Sequence, residues 1–278
     1  MADPAAASRL FLIGSAASEA MSPALWNPVL DQLGSPWTYD AWDVGQDADM
    51  AAVRARLLMP DVVAANVTMP HKQWAARAAD TATEAVRLGG ACNLLVRQGS
   101  TLSGHNTDII AAGALLGDGY QRHALMMGAG GAARAALIAL KGQVGRVTIA
   151  DRDARAAADL LGLARGLGIA AESVAWQEAQ DLAAGATLVV NATPIGKSPA
   201  DEAVWGNGPL ARDALVYDFV YASHATASIV RAEELGASCI DGWDHLREQA
   251  VAMVSILGLQ AQAPDLLQEE LKLLKASH

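Results

Sequence analysis

The stretch Leu125–Asp151, LMMGAGGAARAALIALKGQVGRVTIAD, decides how this chain folds. It opens on a short apolar run and passes through Gly128-Ala129-Gly130-Gly131-Ala132-Ala133-Arg134. An alanine- and leucine-rich helical pattern follows, then a second apolar run, Val147–Ala150, closed by Asp151. Strand, glycine turn, helix, strand and acid come in the order that a dinucleotide-binding βαβ unit needs. Gly128 suits the tight turn, Gly130 lets backbone approach a pyrophosphate, and small Ala133 lets the helix pack closely on the strand. Unpaired N–H groups at the helix start face the phosphates, which assigns Gly128, Ala129, Gly130, Gly131 and Ala132 to the cofactor. Asp151 falls about twenty residues beyond the first glycine, where a carboxylate accepts hydrogen bonds from an adenosine ribose. A glycine loop alone is a weak signal, but here strand, helix and distal acid fall in register.

The chain around this unit has 278 residues, more than one core needs and comfortable for two domains. Hydrophobic residues make up 52% and charged residues 18%, the composition of a folded globular protein. A formal net charge of −10 argues against nucleic acid or an anionic membrane as a general partner. The opening MADPAAASRLFLIGSAAS carries an acid where a signal peptide needs positive charge. No run reaches the roughly 20 apolar residues of a membrane span, so a cytoplasmic protein is expected. Cys92 and Cys239 show neither CxxC spacing nor a nearby histidine cluster, so neither a disulfide framework nor a metal site is expected.

Outward from the glycine stretch, Arg9–Gly14 reads as a buried strand, with Ser22 as N-cap and Pro23 as first residue of the helix that follows. Trp37–Val44 is a second strand, and Val53, Leu57 and Leu58 mark one side of a helix. A third strand, Val62–Val67, runs into Thr68-Met69-Pro70-His71-Lys72, after which QWAARAAD is helical. Beyond Asp151 come a helix at Ala157–Leu167, strands at Ala170–Trp176, Thr187–Asn191 and Leu215–Phe219, and a helix at Ser228–Leu235. The chain is then helical from Leu246, with a break near Ala263-Pro264. Strand and helix alternating in this way predict an α/β protein with a parallel or mixed sheet covered by helices. Val190–Pro194 ends its strand in a loop, and open α/β sheets hold ligands beyond the carboxyl ends of their strands.

Taken together, NVTMPHK (Asn66–Lys72), GGACN (Gly89–Asn93), NTD (Asn106–Asp108), GAGGAAR (Gly128–Arg134), NATPIG (Asn191–Gly196), VYDFVY (Val216–Tyr221) and DGWDHLREQA (Asp241–Ala250) resemble the shikimate dehydrogenase family. The blocks follow that family's order and spacing from Gly14 to about Gly258. The resemblance implies two domains: a substrate-binding α/β domain over 1–108, completed by about 246–278, and a Rossmann-type doubly wound domain over 109–245. It implies reversible hydride transfer between a nicotinamide and a ring hydroxyl of shikimate, quinate or a related cyclic hydroxy-acid, in a cleft where the domains meet. Lys72 and Asp108 would form the proton-transfer pair, since oxidising a secondary alcohol needs a group to take the hydroxyl proton. Ser22, Asn66, Thr68, Asn93, Tyr221 and Gln249 would bind the substrate; neutral groups that both give and accept suit a polyol. Asn191, Ala192, Thr193, Pro194 and Gly242 would line the cofactor. Such a protein would work as a monomer or homodimer.

Each residue alone also has an ordinary reading. Lys72 could be a solvated lysine, Asp108 and Ser22 helix caps, Asn66 and Asn93 turn residues, Gln249 a surface amide, and Tyr221 a half-buried aromatic. Two rival functions stand beside the dehydrogenase: a non-catalytic nucleotide or metabolite sensor on the same fold, and a dehydrogenase of the same architecture acting on another small hydroxy-acid. The chain departs from the family's pattern at several points. Ala20-Met21-Ser22-Pro23 has one serine where two are usual, a loss worth on the order of 1.5–3 kcal/mol at a carboxylate, and Trp26-Asn27 replaces a frequent His-Asn pair. Asp244 and His245 stand where glycine and methionine are usual, either capping the last helices or reshaping the pocket floor. Asp151-Arg152-Asp153 replaces the Asn-Arg-Thr of many NADP users. Carboxylates there favour a ribose hydroxyl over a 2′-phosphate, so NAD is the expected cofactor, with Arg152 beside it and NADP as second choice.

Overall fold

The computed structural model describes residues 8–277. Residues 1–7, part of the stretch read above against a signal peptide, lie outside the described residues. Two compact units divide the chain. One runs through Thr107 and is rejoined by Ala250–Ser277; the other is Asp108–Gln249.

In the first unit the strands and helices are β1 (Ser8–Gly14), α1 (Ser22–Gln32), β2 (Trp37–Asp43), α2 (Met50–Leu57), β3 (Val62–Val67), α3 (Lys72–Ala78), β4 (Thr81–Ala82), α4 (Glu84–Gly89), β5 (Leu94–Gln98) and β6 (Thr101–His105). The strands lie in the order β2-β1-β3-β5-β6-β4. β1 pairs in parallel with β2 and β3, while β5 is antiparallel to both β3 and β6. A mixed sheet results because β5 and β6 are joined by a tight turn with no room for a crossover helix. Phe11, Ile13, Val53, Leu57, Val67 and Leu95 are buried in one cluster on this sheet.

The second unit comprises α5 (Thr107–Leu116, from its second residue), β7 (Gln121–Met127), α6 (Gly131–Ala139), β8 (Val144–Ala150), α7 (Ala154–Gly166), β9 (Ala170–Ser173), α8 (Trp176–Leu182), β10 (Leu188–Asn191), β11 (Leu215–Asp218), α9 (Ala227–Glu234), β12 (Ser238–Ile240) and the first half of α10 (Gly242–Leu257). Its six strands are all parallel, in the order β12-β11-β10-β7-β8-β9. Alternate residues feed opposite faces: Ala124, Met126, Leu188 and Val190 enter one cluster, and Leu125, Met127 and Val189 enter the other. Both faces are therefore covered, as an all-parallel sheet requires. The strand order reverses between β7 and β10, and this switch point is where such sheets hold ligands.

The chain ends in α11 (Ala263–Ser277), which packs on α1 in the first unit. Gln32 donates to Glu270 at 2.8 Å, and Leu267 and Leu271 are buried.

Three local readings change. Ser22 lies inside the first turn of α1, with the helical Met21 at the cap position and no side-chain cap bond. The strand expected over Ala170–Trp176 ends at Ser173, because Trp176 opens α8 and buries Ala179. Helix α9 begins at Ala227 with Thr226 as its cap, its hydroxyl accepting from Ile229 N–H at 3.3 Å. Among the described residues no helix is long and apolar enough to cross a membrane, and no group of three or more His, Cys, Asp or Glu could hold a metal ion.

Candidate active site

The glycine loop leaves β7 through Gly128, whose φ of +104° is a conformation L side chains rarely adopt. A Cβ there would also lie 2.8 Å from the Ala192 carbonyl oxygen. The loops after β7 and β10 thus touch at the switch point, and Gly128 is what lets them. Gly130 precedes α6 without a side-chain cap bond, and a Cβ added at Gly130 or Gly131 would meet nothing within 4 Å. Open space above the N–H groups of a helix start is a cradle of the kind a pyrophosphate fills. Ala133, on the opposite side of α6, is fully buried, as the close helix packing demands.

Asp151 does something other than expected. One carboxylate oxygen accepts the Ala129 N–H at 2.7 Å and the other accepts the Asp153 N–H at 2.8 Å. The carboxylate staples the glycine loop to the end of β8. Asp153 caps α7, accepting from Arg155 and Ala156 N–H at 2.9 and 3.3 Å. With both acids turned to backbone, Arg152 is left exposed between them.

The loop after β10 is fixed by its own first residue. Buried Asn191 donates to the Ile195 carbonyl at 2.8 Å and to Asp218 at 2.9 Å, and accepts from the Thr193 hydroxyl and N–H at 2.7 and 3.1 Å. Asp218, also fully buried, accepts from Val220 N–H at 2.9 Å and from the Thr226 hydroxyl at 2.6 Å. Burial pushes its carboxyl up to about 6, against the pull of these three donors. Gly242 brings the start of α10 against the loop after β11, where a Cβ would run into the Val220 carbonyl. Asp241 accepts from Trp243 and Asp244 N–H at 2.9 Å each, and Asp244 accepts from Asp241 N–H at 3.0 Å. Asp244 is therefore a cap, the plainer of its two readings. His245 is not: it is buried, with Tyr217 and Asp108 beside it. Asp108 sits within the first turn of α5 and is buried. Tyr221 is 39% exposed beside Trp243, and Gln249 is half-buried on α10.

In the first unit the expected substrate residues converge on a residue that sequence reasoning passed over. Tyr39, on β2 and 2% exposed, donates to Asn66 Oδ1 at 2.7 Å, with the Ser22 side chain beside its hydroxyl. Asn66 in turn donates to the Asn93 carbonyl at 3.3 Å. Asn93 is locked by Thr107, accepting its N–H at 2.7 Å and donating to its hydroxyl at 2.9 Å. Burial raises the Tyr39 phenol far above its usual range, so the hydroxyl keeps its proton and remains a donor. Trp26 stacks parallel to Tyr39 at 6.4 Å, and Asn27 pairs with both backbone groups of Tyr39 at 2.8 and 3.0 Å. The signal in the sequence was a tyrosine at an inward strand position, where a buried hydroxyl needs a partner. Half-buried Thr68 follows β3, its N–H bonded to the Ile13 carbonyl at 2.8 Å. Lys72 is half-buried at the start of α3, next to His71, whose ring meets the Val44 carbonyl at 2.8 Å.

Comparison with known proteins gives this geometry a family. Residues 12–95 match the model of the shikimate dehydrogenase substrate binding domain. A shikimate dehydrogenase (NADP(+)) of Methylobacterium radiotolerans is 34% identical over 87% of this chain and 88% of its own length. One of Sphingopyxis alaskensis, carrying the same name, is 34% identical over 99% of both chains. Among solved structures, quinate dehydrogenase from Corynebacterium glutamicum in complex with NAD superposes with a TM-score of 0.85 at 25% identity, covering 94% of this chain and 98% of that one. The expectation of NAD as preferred cofactor is overturned by the NADP(+) names of the relatives at 34% identity. Each Asp151 oxygen already accepts a backbone N–H, which weakens the carboxylate's discrimination at the ribose.

Proposed function

The chain belongs to the shikimate dehydrogenase family of NAD(P)-dependent oxidoreductases, and we propose that it interconverts a ring hydroxyl and a ring ketone on shikimate, quinate or a closely related cyclic hydroxy-acid, using NADP. The observation that carries this reading is the hydrogen-bonded chain Tyr39–Asn66–Asn93, with Ser22 beside Tyr39, which lies within the stretch matching the substrate-binding model. It holds neutral donors and acceptors in fixed positions, the donor set a polyol calls for.

The bare cradle at Gly130 and Gly131 fits a pyrophosphate, and the loop Asn191–Pro194 borders it at Gly128. When bound, the nicotinamide takes or returns the hydride. Lys72 Nζ takes the hydroxyl proton in the oxidative direction and gives it back in the reductive one, with Asp108 orienting the ammonium and its charge. Ser22 and Tyr221 face the substrate carboxylate, while Asn66, Thr68, Asn93 and Gln249 bind ring hydroxyls. Arg152 pairs with the 2′-phosphate, since Asp151 and Asp153 are committed to backbone N–H groups.

The test is a set of initial rates with shikimate and quinate, each with NADP and NAD. Reduction of NADP at higher kcat/KM than NAD is expected. Arg152→Ala should narrow that gap by about tenfold or more, the worth of a charge-assisted contact. Lys72→Ala should lower kcat by roughly 10²–10⁴ while the Kd for NADP stays put. Tight NADP binding with no turnover on any of these acids would sink the proposal in favour of a sensor, for which Ala20 in the carboxylate loop is the motive.

A further inference from the structure

Three aromatic rings stand together behind Asp108. Tyr217 and Phe219 stack at 4.4 Å with planes 10° apart, and the His245 ring lies tilted on Phe219 at 4.6 Å. His245 Nδ1 is 2.6 Å from the Tyr217 hydroxyl, and its Nε2 is 3.5 Å from Asp108 Oδ1. Tyr217 is fully buried, and the His245 and Asp108 side chains are 10% and 12% exposed. We propose that His245 is a positioning residue for Asp108, presenting an Nε2–H to its carboxylate in a tautomer fixed by the Tyr217 hydroxyl. The inference rests on the reading of Lys72 and Asp108 as the proton-transfer pair.

The tautomer follows from the phenol. Burial, and after it the negative fields of Asp108, Asp244 and Glu248, push Tyr217 far above the usual tyrosine range. The hydroxyl therefore keeps its proton; in the proposed tautomer it donates to Nδ1, which places the imidazole N–H on Nε2, on the side of Asp108. Asp108 from α5 and Tyr217 from β11 meet this ring, and Asp244 and Glu248 from its own helix act on the Tyr217 hydroxyl through their charge. Glu248 is paired with Arg247, and Asp244 is taken up in capping α10. Phe219 covers the ring and limits its rotation. Asp108 Oδ1 thus has a ring nitrogen 3.5 Å away, on a side chain that is itself held by Tyr217. A carboxylate that must orient a lysine gains from this kind of outer support, as a metal-bound or catalytic group does from the hydrogen bonds behind it. An apolar side chain at 245 offers no such donor.

The experiment compares His245→Met, which removes both nitrogens at similar length, with His245→Gln, which keeps an amide N–H near Nε2, and with Tyr217→Phe. Steady-state rates at saturating NADP are paired with imidazole nitrogen NMR of the full-length protein. His245→Met should lower kcat about tenfold, the scale of a lost hydrogen bond to a charge, with Kd for NADP changed less than about twofold. His245→Gln should recover most of that loss. Tyr217→Phe should leave a mixture of tautomers and an intermediate kcat, which tests the idea even if His245→Met folds poorly. In an Asp108→Asn background, adding His245→Met should change kcat by less than about twofold, because the two act through one group. A kcat for His245→Met within twofold of the parent, or a His245→Gln variant as slow as His245→Met, overturns the proposal. If Asp108→Asn itself keeps full activity, it is the proton-transfer reading that fails.

Discussion

Tyr39 gives its hydroxyl proton to Asn66 and is met by the Ser22 side chain, so one phenol sets two residues assigned to the substrate. Replacing it by phenylalanine keeps the ring that stacks on Trp26 but leaves Asn66 Oδ1 without that donor. Asn66 is half-buried, so the loss stays toward the low end of the about 1–3 kcal/mol an unsatisfied buried acceptor costs, and the asparagine gains freedom to turn. Tyr39→Phe is therefore expected to raise KM for the cyclic acid several-fold while the Kd for NADP holds; an unchanged KM would remove Tyr39 from the site. Residues of this kind explain what was legible at the finest scale. Side chains embedded in contiguous motifs, such as Asn66 in NVTMPHK and Asp108 in NTD, could be named from sequence alone. Tyr39 and Tyr217 could not, because their importance comes from partners far along the chain. Asp151 misled for a related reason: its carboxylate has backbone N–H groups within reach, at Ala129 and Asp153, and no pattern of side chains reveals that competition.

Between β10, β11 and α9, the buried Asp218 holds the ends of three elements with Asn191, Val220 and Thr226. Burial raises its carboxyl from 3.8 to about 6. A raised carboxyl in the folded state means that the fold binds this proton more tightly than the unfolded chain does. Its contribution to stability is full below pH 3.8 and is lost as the pH rises through about 6. The whole span is on the order of 3 kcal/mol. Asp218→Asn keeps an acceptor for Asn191 and Val220 and has no proton to lose. Urea unfolding of both proteins across this pH window should show the parent losing ground to the variant as pH rises, and parallel curves would refute the assignment. At this scale the sequence told most where elements are long or apolar: β7, α6 and β8 were readable from period and glycine spacing. The three-residue β12 and the seven-residue α8 were not, since neither has enough turns or alternation to declare a period. Their form comes from packing beside β11 and β8.

Across the molecule, one buried cluster is built wholly from residues between Phe11 and Leu102, and two others wholly from residues between Ala112 and Ile240. The α/β class was legible because both stretches alternate apolar strands with helices. A mixed sheet was one of the two forms expected, and the tight β5–β6 turn is what decides for it in the first unit. The return of the chain end could be inferred only from the family's order of blocks, because α11 is an amphipathic helix that would suit any apolar surface. In the structure that surface is α1, and Leu267 is 1% exposed. Truncating it to alanine should cost about 2–5 kcal/mol of the first unit's stability. On the proposed reading NADP binds the second unit alone, and a ligand stabilises only what binds it. Leu267→Ala is thus expected to split thermal unfolding into an early transition that NADP barely moves and a later one that rises with NADP concentration. Calorimetry at several NADP concentrations reads both. A single transition that NADP shifts as a whole would show that the two cores unfold as one cooperative unit, and that the separate clusters do not carry separate stability.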